Sequence, residues 1–234
     1  MPREVRPGVF LWRQFLSPQA QIALLAEVMT RVAQAPFFQP RMPRTGKPFS
    51  VEMSNFGALG WVSDQANGYR YEARHPVTAD AWPDIPPVLL RLWRELTSYP
   101  APAEVCLVNL YRGKARMGLH QDRDEAALDA PVLSISLGDD AIFRVGGLSR
   151  KEPTSSVVLS SGDIILMGGP ARLCHHGIDR IREGSNNLLP GGGRINLTLR
   201  RVNAANNGTA KNGTAGQCSD RPPIAPLSAG IGRG

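Results

Sequence analysis

The feature that most constrains this chain is a succession of short, strand-like segments after Glu104, separated by Gly, Asp or Pro. VCLVNLY (105–111), PVLSISL (131–137), AIFRV (141–145), SSVVL (155–159), DIILM (163–167) and RINLTLR (194–200) alternate or run apolar over strand length. Several such strands joined by loops of varied length point to a sandwich or jelly roll. Two helices are expected ahead of them. Ser17-Pro18 reads as an N-cap with proline in the first turn, followed by Ile22, Leu25, Val28, Met29 and Val32 at helical spacing. Val88, Leu89, Leu92, Trp93 and Leu96 form a second stripe between Pro86 and Leu96. Helices first and strands afterwards predict an α+β domain.

Charge narrows the class of partner. Lys and Arg number 27 against 20 Asp and Glu, a net +7, which favours a polyanion, nucleic acid first. A merely soluble basic protein is the alternative. The longest aliphatic run, Ile164–Met167, is far too short to span a membrane, and MPREVRPG is followed by no apolar leader. Cys106, Cys174 and Cys218 are too few and too scattered for a disulfide framework or a cysteine metal knuckle. A cytoplasmic monomer is therefore expected. Residues 203–234 hold no aromatic side chain and no apolar period, so they are expected to be a disordered tail after one domain, 1–202.

Within the strand-rich half stand His120-Gln-Asp122 and, far downstream, His176. On extended chain, positions i and i+2 share a face, so His120 and Asp122 can meet one ion. His176 would complete two imidazoles and one carboxylate, a set that covers one face of an octahedron and suits Fe(II) chemistry with O2. An isolated HxD is common by chance. The second signal is a strand on which Arg194, Asn196, Thr198 and Arg200 alternate with Ile195, Leu197 and Leu199. Either that polar face meets water, or two guanidiniums are buried and require a partner such as a dicarboxylate.

The co-linear run NLY (109–111), GLHQDRDE (118–125), LSISLG, AIFRVGGLSR (141–150), SGDIILMGG, HGI (176–178) and RINLTLR (194–200) resembles the AlkB family of Fe(II)- and 2-oxoglutarate-dependent dioxygenases over residues 50–201. The resemblance implies a double-stranded β-helix, with His120, Asp122 and His176 as iron ligands. It assigns Arg194 and Arg200 to the two carboxylates of 2-oxoglutarate, with Asn109, Tyr111 and Asn196 adding hydrogen bonds. It also implies a substrate lid at about 41–75. Trp61 would stack on an extruded base opposite His120, Tyr69 and Tyr71 would line the lid, Asp124 would accept from the exocyclic amine, and Arg150 would reach the pocket. Ordinary packing is the alternative for Trp61 and the two tyrosines.

By the same resemblance, the chain would oxidatively dealkylate 1-methyladenine and 3-methylcytosine in single-stranded or duplex DNA and in RNA, consuming O2 and releasing aldehyde, succinate and CO2. Arg41, Arg44, Lys47, Arg112, Lys114, Arg116, Arg123 and Lys151 flank the expected pocket and are candidates for phosphate contacts. A hydroxylase of a protein or small molecule, and a binding module without redox chemistry, are the alternatives. His176 rather than His175 is the expected ligand, because its neighbour on a strand faces the other way. Cys174 has no expected role.

Overall fold

The computed structural model describes residues 1–204, so the expected tail, apart from Asn203 and Ala204, lies outside the described residues. Thirteen strands and two helices follow one another as β1 (Arg3–Arg6), β2 (Val9–Trp12), α1 (Pro18–Gln34), β3 (Glu52–Gly57), β4 (Gly60–Asp64), β5 (Gly68–Glu72), α2 (Pro87–Thr97), β6 (Val105–Tyr111), β7 (Met117–His120), β8 (Val132–Gly138), β9 (Asp140–Val145), β10 (Ser155–Leu159), β11 (Ile164–Met167), β12 (His176–Arg182) and β13 (Arg194–Arg200). A seven-stranded antiparallel sheet runs β1-β2-β11-β8-β13-β6-β3, and a four-stranded one runs β10-β9-β12-β7. Together they make the jelly roll. β4 and β5 form a separate hairpin.

Strand parity explains how the layers divide. On β6, β8 and β13 the residues Cys106, Val108, Leu110, Leu133, Ile135, Leu137, Ile195, Leu197 and Leu199 pack with both helices. The other face of the large sheet meets the smaller one, where Val9 of β2, Met53 of β3, Val132 of β8 and Ile165 and Met167 of β11 pack with Phe143, Val145 and Ile178. All seven residues of β13 are therefore buried, and the polar face of RINLTLR lies inside the roll rather than in water. Burying two arginines is costly without partners, so this strand marks the site.

Ser17 caps α1, its hydroxyl accepting from the Ala20 amide at 3.2 Å. The apolar stripe expected on this helix is corrected in part. Leu24, Leu25, Val28 and Val32 are buried, whereas Ile22 and Met29 are 61% and 44% exposed. The contact line follows Leu24–Val28–Val32, and positions 22 and 29 fall about a third of a turn from its centre. β1 to β5, β7 and β12 are short or polar strands outside the expected apolar runs, and the expected order of helices first and strands afterwards is corrected, since two strands precede α1 and three more precede α2. Among the described residues, no helix is long and apolar enough to cross a membrane.

Candidate active site

Two of the three expected metal ligands arrive on paired strands. His120 ends β7 and His176 begins β12, and the two are directly opposite in the antiparallel register. Their rings lie 4.5 Å apart between centroids. Gly177 permits this approach, since a Cβ there would collide with the carbonyl oxygens of Met117 and Gly118. Asp122 comes from the loop after β7, so the expectation that it shares extended chain with His120 is corrected: the strand stops at His120. The loop is held from behind. Gln121 Nε2 donates to the Leu173 carbonyl at 2.6 Å, and Arg172 Nη1 donates to the Asp122 carbonyl at 2.5 Å.

The donor atoms of His120, Asp122 and His176 all lie within 4.8 Å of one another. Each imidazole has its Nδ1 against a carbonyl oxygen, that of Gly118 at 2.9 Å for His120 and that of Cys174 at 3.0 Å for His176. A carbonyl only accepts, so Nδ1 carries the hydrogen and each Nε2 presents a lone pair. Both Nε2 atoms stand 3.5 Å from the Asp122 carboxylate, whose buried Oδ2 has no hydrogen-bond partner. Burial opposes the charge on Asp122, but the Arg200 guanidinium, 2.7 Å from Oδ1, holds its carboxyl well below the usual range. Three electron-pair donors converge with no proton donor between them. A metal cation satisfies them all, and the N,N,O set suits Fe(II). Cys174 keeps its thiol away, against the Pro170 carbonyl.

The same orphan test picks out an anion site. Arg194 and Arg200 are buried, and the Nε–H of each lacks an acceptor, whereas Asn109 Oδ1 lacks a donor. Asn109, Asn196 and Ser136 form one row across β6, β13 and β8. Asn196 accepts from Ser134 Oγ at 2.8 Å and donates to Thr198 Oγ1 at 2.8 Å. Arg194 Nη2 donates to Ser136 Oγ at 2.7 Å and makes a long contact of 3.5 Å to Asn196 Oδ1. Burial with no carboxylate beside it lowers the Arg194 guanidinium from 12.5 to about 10. Arg200 pairs with Asp122 at 2.7 Å and with Glu125 at 3.1 Å, and these anions more than offset burial, holding it firmly protonated. Tyr111, also buried, is pushed above its ordinary value.

A cavity of about 460 Å³ joins the two sites and opens at a rim carrying Tyr69, Arg123, Asp124 and Arg150. His120, Asp122, His176, Asn109, Tyr111, Asn196, Arg200 and Trp61 line it, as does His175, which precedes β12, so the expectation that it faces the other way is corrected. Two expected residues do not. Arg194 lies behind Asn196, and Tyr71 on β5 turns its hydroxyl inward to the Glu125 carboxylate. Trp61 on β4 stacks on Tyr69 at 5.5 Å between ring centroids and donates its indole N–H to Asp124 at 3.0 Å. All eight candidate phosphate-binding residues are exposed.

The 2OG-Fe(II) oxygenase superfamily matches residues 8–200 of the chain. An alpha-ketoglutarate-dependent dioxygenase AlkB homolog of Caulobacter vibrioides is 57% identical over 87% of this chain and 92% of its own length. The chain belongs to the AlkB family of these oxygenases. An AlkB of Escherichia coli strain K12 is 37% identical over 83% of this chain and 90% of its own length. The solved structure of OsALKBH1 superposes with a TM-score of 0.75 at 28% identity, covering 86% of this chain and all of the other. As an AlkB-type dioxygenase the protein works with Fe(II), 2-oxoglutarate and O2, and the His120, Asp122 and His176 donors would fit the iron on the geometry above. Glu125, Arg172, Ser134, Ser136 and Gly177 were not expected in this AlkB site. Only Glu125 carried a signal, standing three residues after Asp122 in the acidic run Asp122-Arg-Asp-Glu.

Proposed function

We propose that this protein removes N-alkyl groups from damaged bases of DNA, and of RNA, with 1-methyladenine and 3-methylcytosine as substrates. The observation that carries the proposal is one cavity in which a lone-pair triad lies beneath an aromatic hairpin and a basic rim. In this reading His120, Asp122 and His176 hold Fe(II). Arg194, Arg200, Asn109, Tyr111 and Asn196 hold 2-oxoglutarate. When bound, the iron, cosubstrate and O2 supply hydroxylation of the alkyl carbon, which leaves as aldehyde while 2-oxoglutarate ends as succinate and CO2.

The remaining steps belong to the chain. Trp61 and His120 bracket an extruded base, because a base taken out of its stack needs two flat partners in place of its neighbours. Asp124 gives up the Trp61 indole to accept the exocyclic amine, and Arg150 meets the strand at the rim. Met53, Leu107, Val132, Ile165 and Met167 keep bulk water out of the cavity floor. Relatives support both nucleic acids: one from Arabidopsis thaliana, 30% identical, is named a DNA N(6)-methyladenine demethylase, and one from Schizosaccharomyces pombe, 26% identical, a tRNA demethylase. Residues 1–202 acting as one domain with a lid at about 41–75, in a cytoplasmic monomer, complete the proposal.

The test is aerobic turnover of oligonucleotides carrying one 1-methyladenine or one 3-methylcytosine, in DNA and RNA form, read by mass spectrometry. Loss of the methyl group from at least one strand type, abolished by His120→Ala, is the expected result. Retention of the methyl group in all four substrates would overturn the proposal.

A further inference from the structure

Glu125 is a wholly buried carboxylate that neither touches the cavity nor belongs to the donor set, yet it is hydrogen-bonded on every side. Its Oε1 accepts from the Tyr71 hydroxyl on β5 and from Arg200 Nη1 at 3.1 Å, while its Oε2 accepts from Arg172 Nη2 at 3.0 Å. Arg200 closes a triangle by donating to the Tyr71 oxygen at 3.2 Å. Arg172 in turn grips the carbonyls of Asp122 and Ala130, at 2.5 and 2.7 Å. One carboxylate therefore joins three things that the chain brings from far apart: the hairpin over the cavity, the guanidinium beside the anion site, and the backbone of a metal ligand.

The neighbouring residue repeats the pattern on the open side. Asp124 takes the indole N–H of Trp61 at 3.0 Å, and Trp61 and Tyr71 are directly opposed in the β4–β5 register. The hairpin is thus tied at one level by two successive carboxylates, one exposed and one buried. The buried tie has the greater consequence, since a buried carboxylate between two guanidiniums has few arrangements that leave no charge unpaired.

We infer that Glu125 is a positioning residue that couples the β4–β5 hairpin to the cosubstrate site, so that moving Tyr71 changes how Arg200 is presented to 2-oxoglutarate. The inference rests on the assignment of Arg200 to the cosubstrate, which the experiment checks separately. Tyr71 is a suitable lever, because its hydroxyl reaches the anion site only through Glu125 and Arg200 and its ring does not line the cavity.

The test is the dissociation constant of 2-oxoglutarate for the Mn(II)-loaded full chain, by calorimetry, in Tyr71→Phe, Glu125→Gln, the double variant and Arg200→Gln. Circular dichroism and melting temperature are followed in parallel. Tyr71→Phe is expected to weaken 2-oxoglutarate about fivefold and Glu125→Gln about tenfold, since each removes or weakens bonds to charged groups that reach the cosubstrate only through the placement of Arg200. The double variant should be weaker than Glu125→Gln by less than the fivefold loss of Tyr71→Phe alone, because the Tyr71–Glu125 contact is already altered in Glu125→Gln and only the Tyr71–Arg200 contact remains to be lost. If Arg200→Gln loses 2-oxoglutarate while Tyr71→Phe and Glu125→Gln bind as the parent does, Glu125 is only a packing element and the inference fails. Additive losses in the double variant overturn it as well. Should Arg200→Gln bind normally, the assignment of Arg200 is what has failed. If Glu125→Gln does not fold, Tyr71→Phe alone decides, by a fivefold loss or none.

Discussion

Replacing Arg194 by Met removes a wholly buried charge that, among the described residues, has no carboxylate in ion-pairing reach, and the two states of the protein should respond in opposite directions. Burial lowers the guanidinium from 12.5 to about 10, which corresponds to a cost of about 3 kcal/mol for keeping it charged in the cosubstrate-free fold. That cost is fully present below the folded value and disappears only as pH rises past the ordinary one, so it is constant between pH 6 and 9 on this reasoning. Against it stand one good hydrogen bond, to Ser136 at 2.7 Å, and contacts of 3.3 to 3.5 Å, together about 2 kcal/mol. Arg194→Met should therefore leave the cosubstrate-free protein slightly more stable, by about 1 kcal/mol, or about 3 °C in melting temperature.

With 2-oxoglutarate the order reverses. A ligand at a hundred times its dissociation constant stabilises the parent by about 2.7 kcal/mol, or about 8 °C. If Arg194 reaches the cosubstrate as proposed, losing a charged hydrogen bond of about 3 kcal/mol should remove nearly all of that shift from the variant. Differential scanning fluorimetry of the Mn(II)-loaded protein, with and without 2-oxoglutarate, reads both effects. A cosubstrate-free melting temperature more than about 5 °C below the parent, with the 2-oxoglutarate shift retained, would show that Arg194 is a structural charge and refute the reasoning.

Further outcomes follow from other parts of the molecule. Gly177→Ala should lower the melting temperature and abolish Mn(II) binding by electron paramagnetic resonance, because its methyl group would push β12 off β7 and part the imidazoles; normal Mn(II) binding would show that the close approach is dispensable. Asp124→Asn should slow turnover of bases with an exocyclic amine about tenfold while leaving 2-oxoglutarate affinity unchanged, and equal loss on all substrates would count against its role. Converting Lys114 and Arg116 to Gln should reduce the slope of log affinity against log salt for single-stranded DNA by about 0.7 for each phosphate no longer neutralised, whereas an unchanged slope places the strand elsewhere. At Glu104 burial opposes the charge, yet bonds from Asn203 and Val202 and the Arg201 charge hold its carboxyl below the ordinary 4.5. Its stabilisation is therefore present above that pH and lost as acid takes the pH through the folded value. Glu104→Gln should melt lower at pH 7 and converge with the parent in acid, and parallel curves would contradict the sign.

Much of this architecture was legible because the major sheet is buried on both faces. Runs such as VCLVNLY and RINLTLR then read as continuous strand-forming segments, and their ends coincide with β6 and β13. The alternation of Arg194, Asn196, Thr198 and Arg200 is visible in the sequence, but not its direction; that Ile195, Leu197 and Leu199 pack on the helices while the opposite face is covered within the roll decides that it points inward. β7 and β12 escaped notice because MGLH and HGIDRIR alternate weakly and carry glycine where two strands crowd together. The first hairpin, REVR and VFLW, is too short to show a period, and β2 is a strand only because β11 lies beside it. Glu125 and Arg172 illustrate the largest gap. Their partnership spans 47 residues of chain and depends on loop geometry that no local pattern encodes.

The most direct measurement of the central claim is the ratio of succinate formed to methyl groups lost, in one anaerobic mixture of Fe(II), 2-oxoglutarate and a 1-methyladenine oligonucleotide opened to air. One succinate per methyl group removed is the predicted result, with neither product from His176→Ala. Succinate accumulating while the oligonucleotide keeps its methyl group would contradict the claim, leaving an iron oxygenase whose substrate is not an alkylated base.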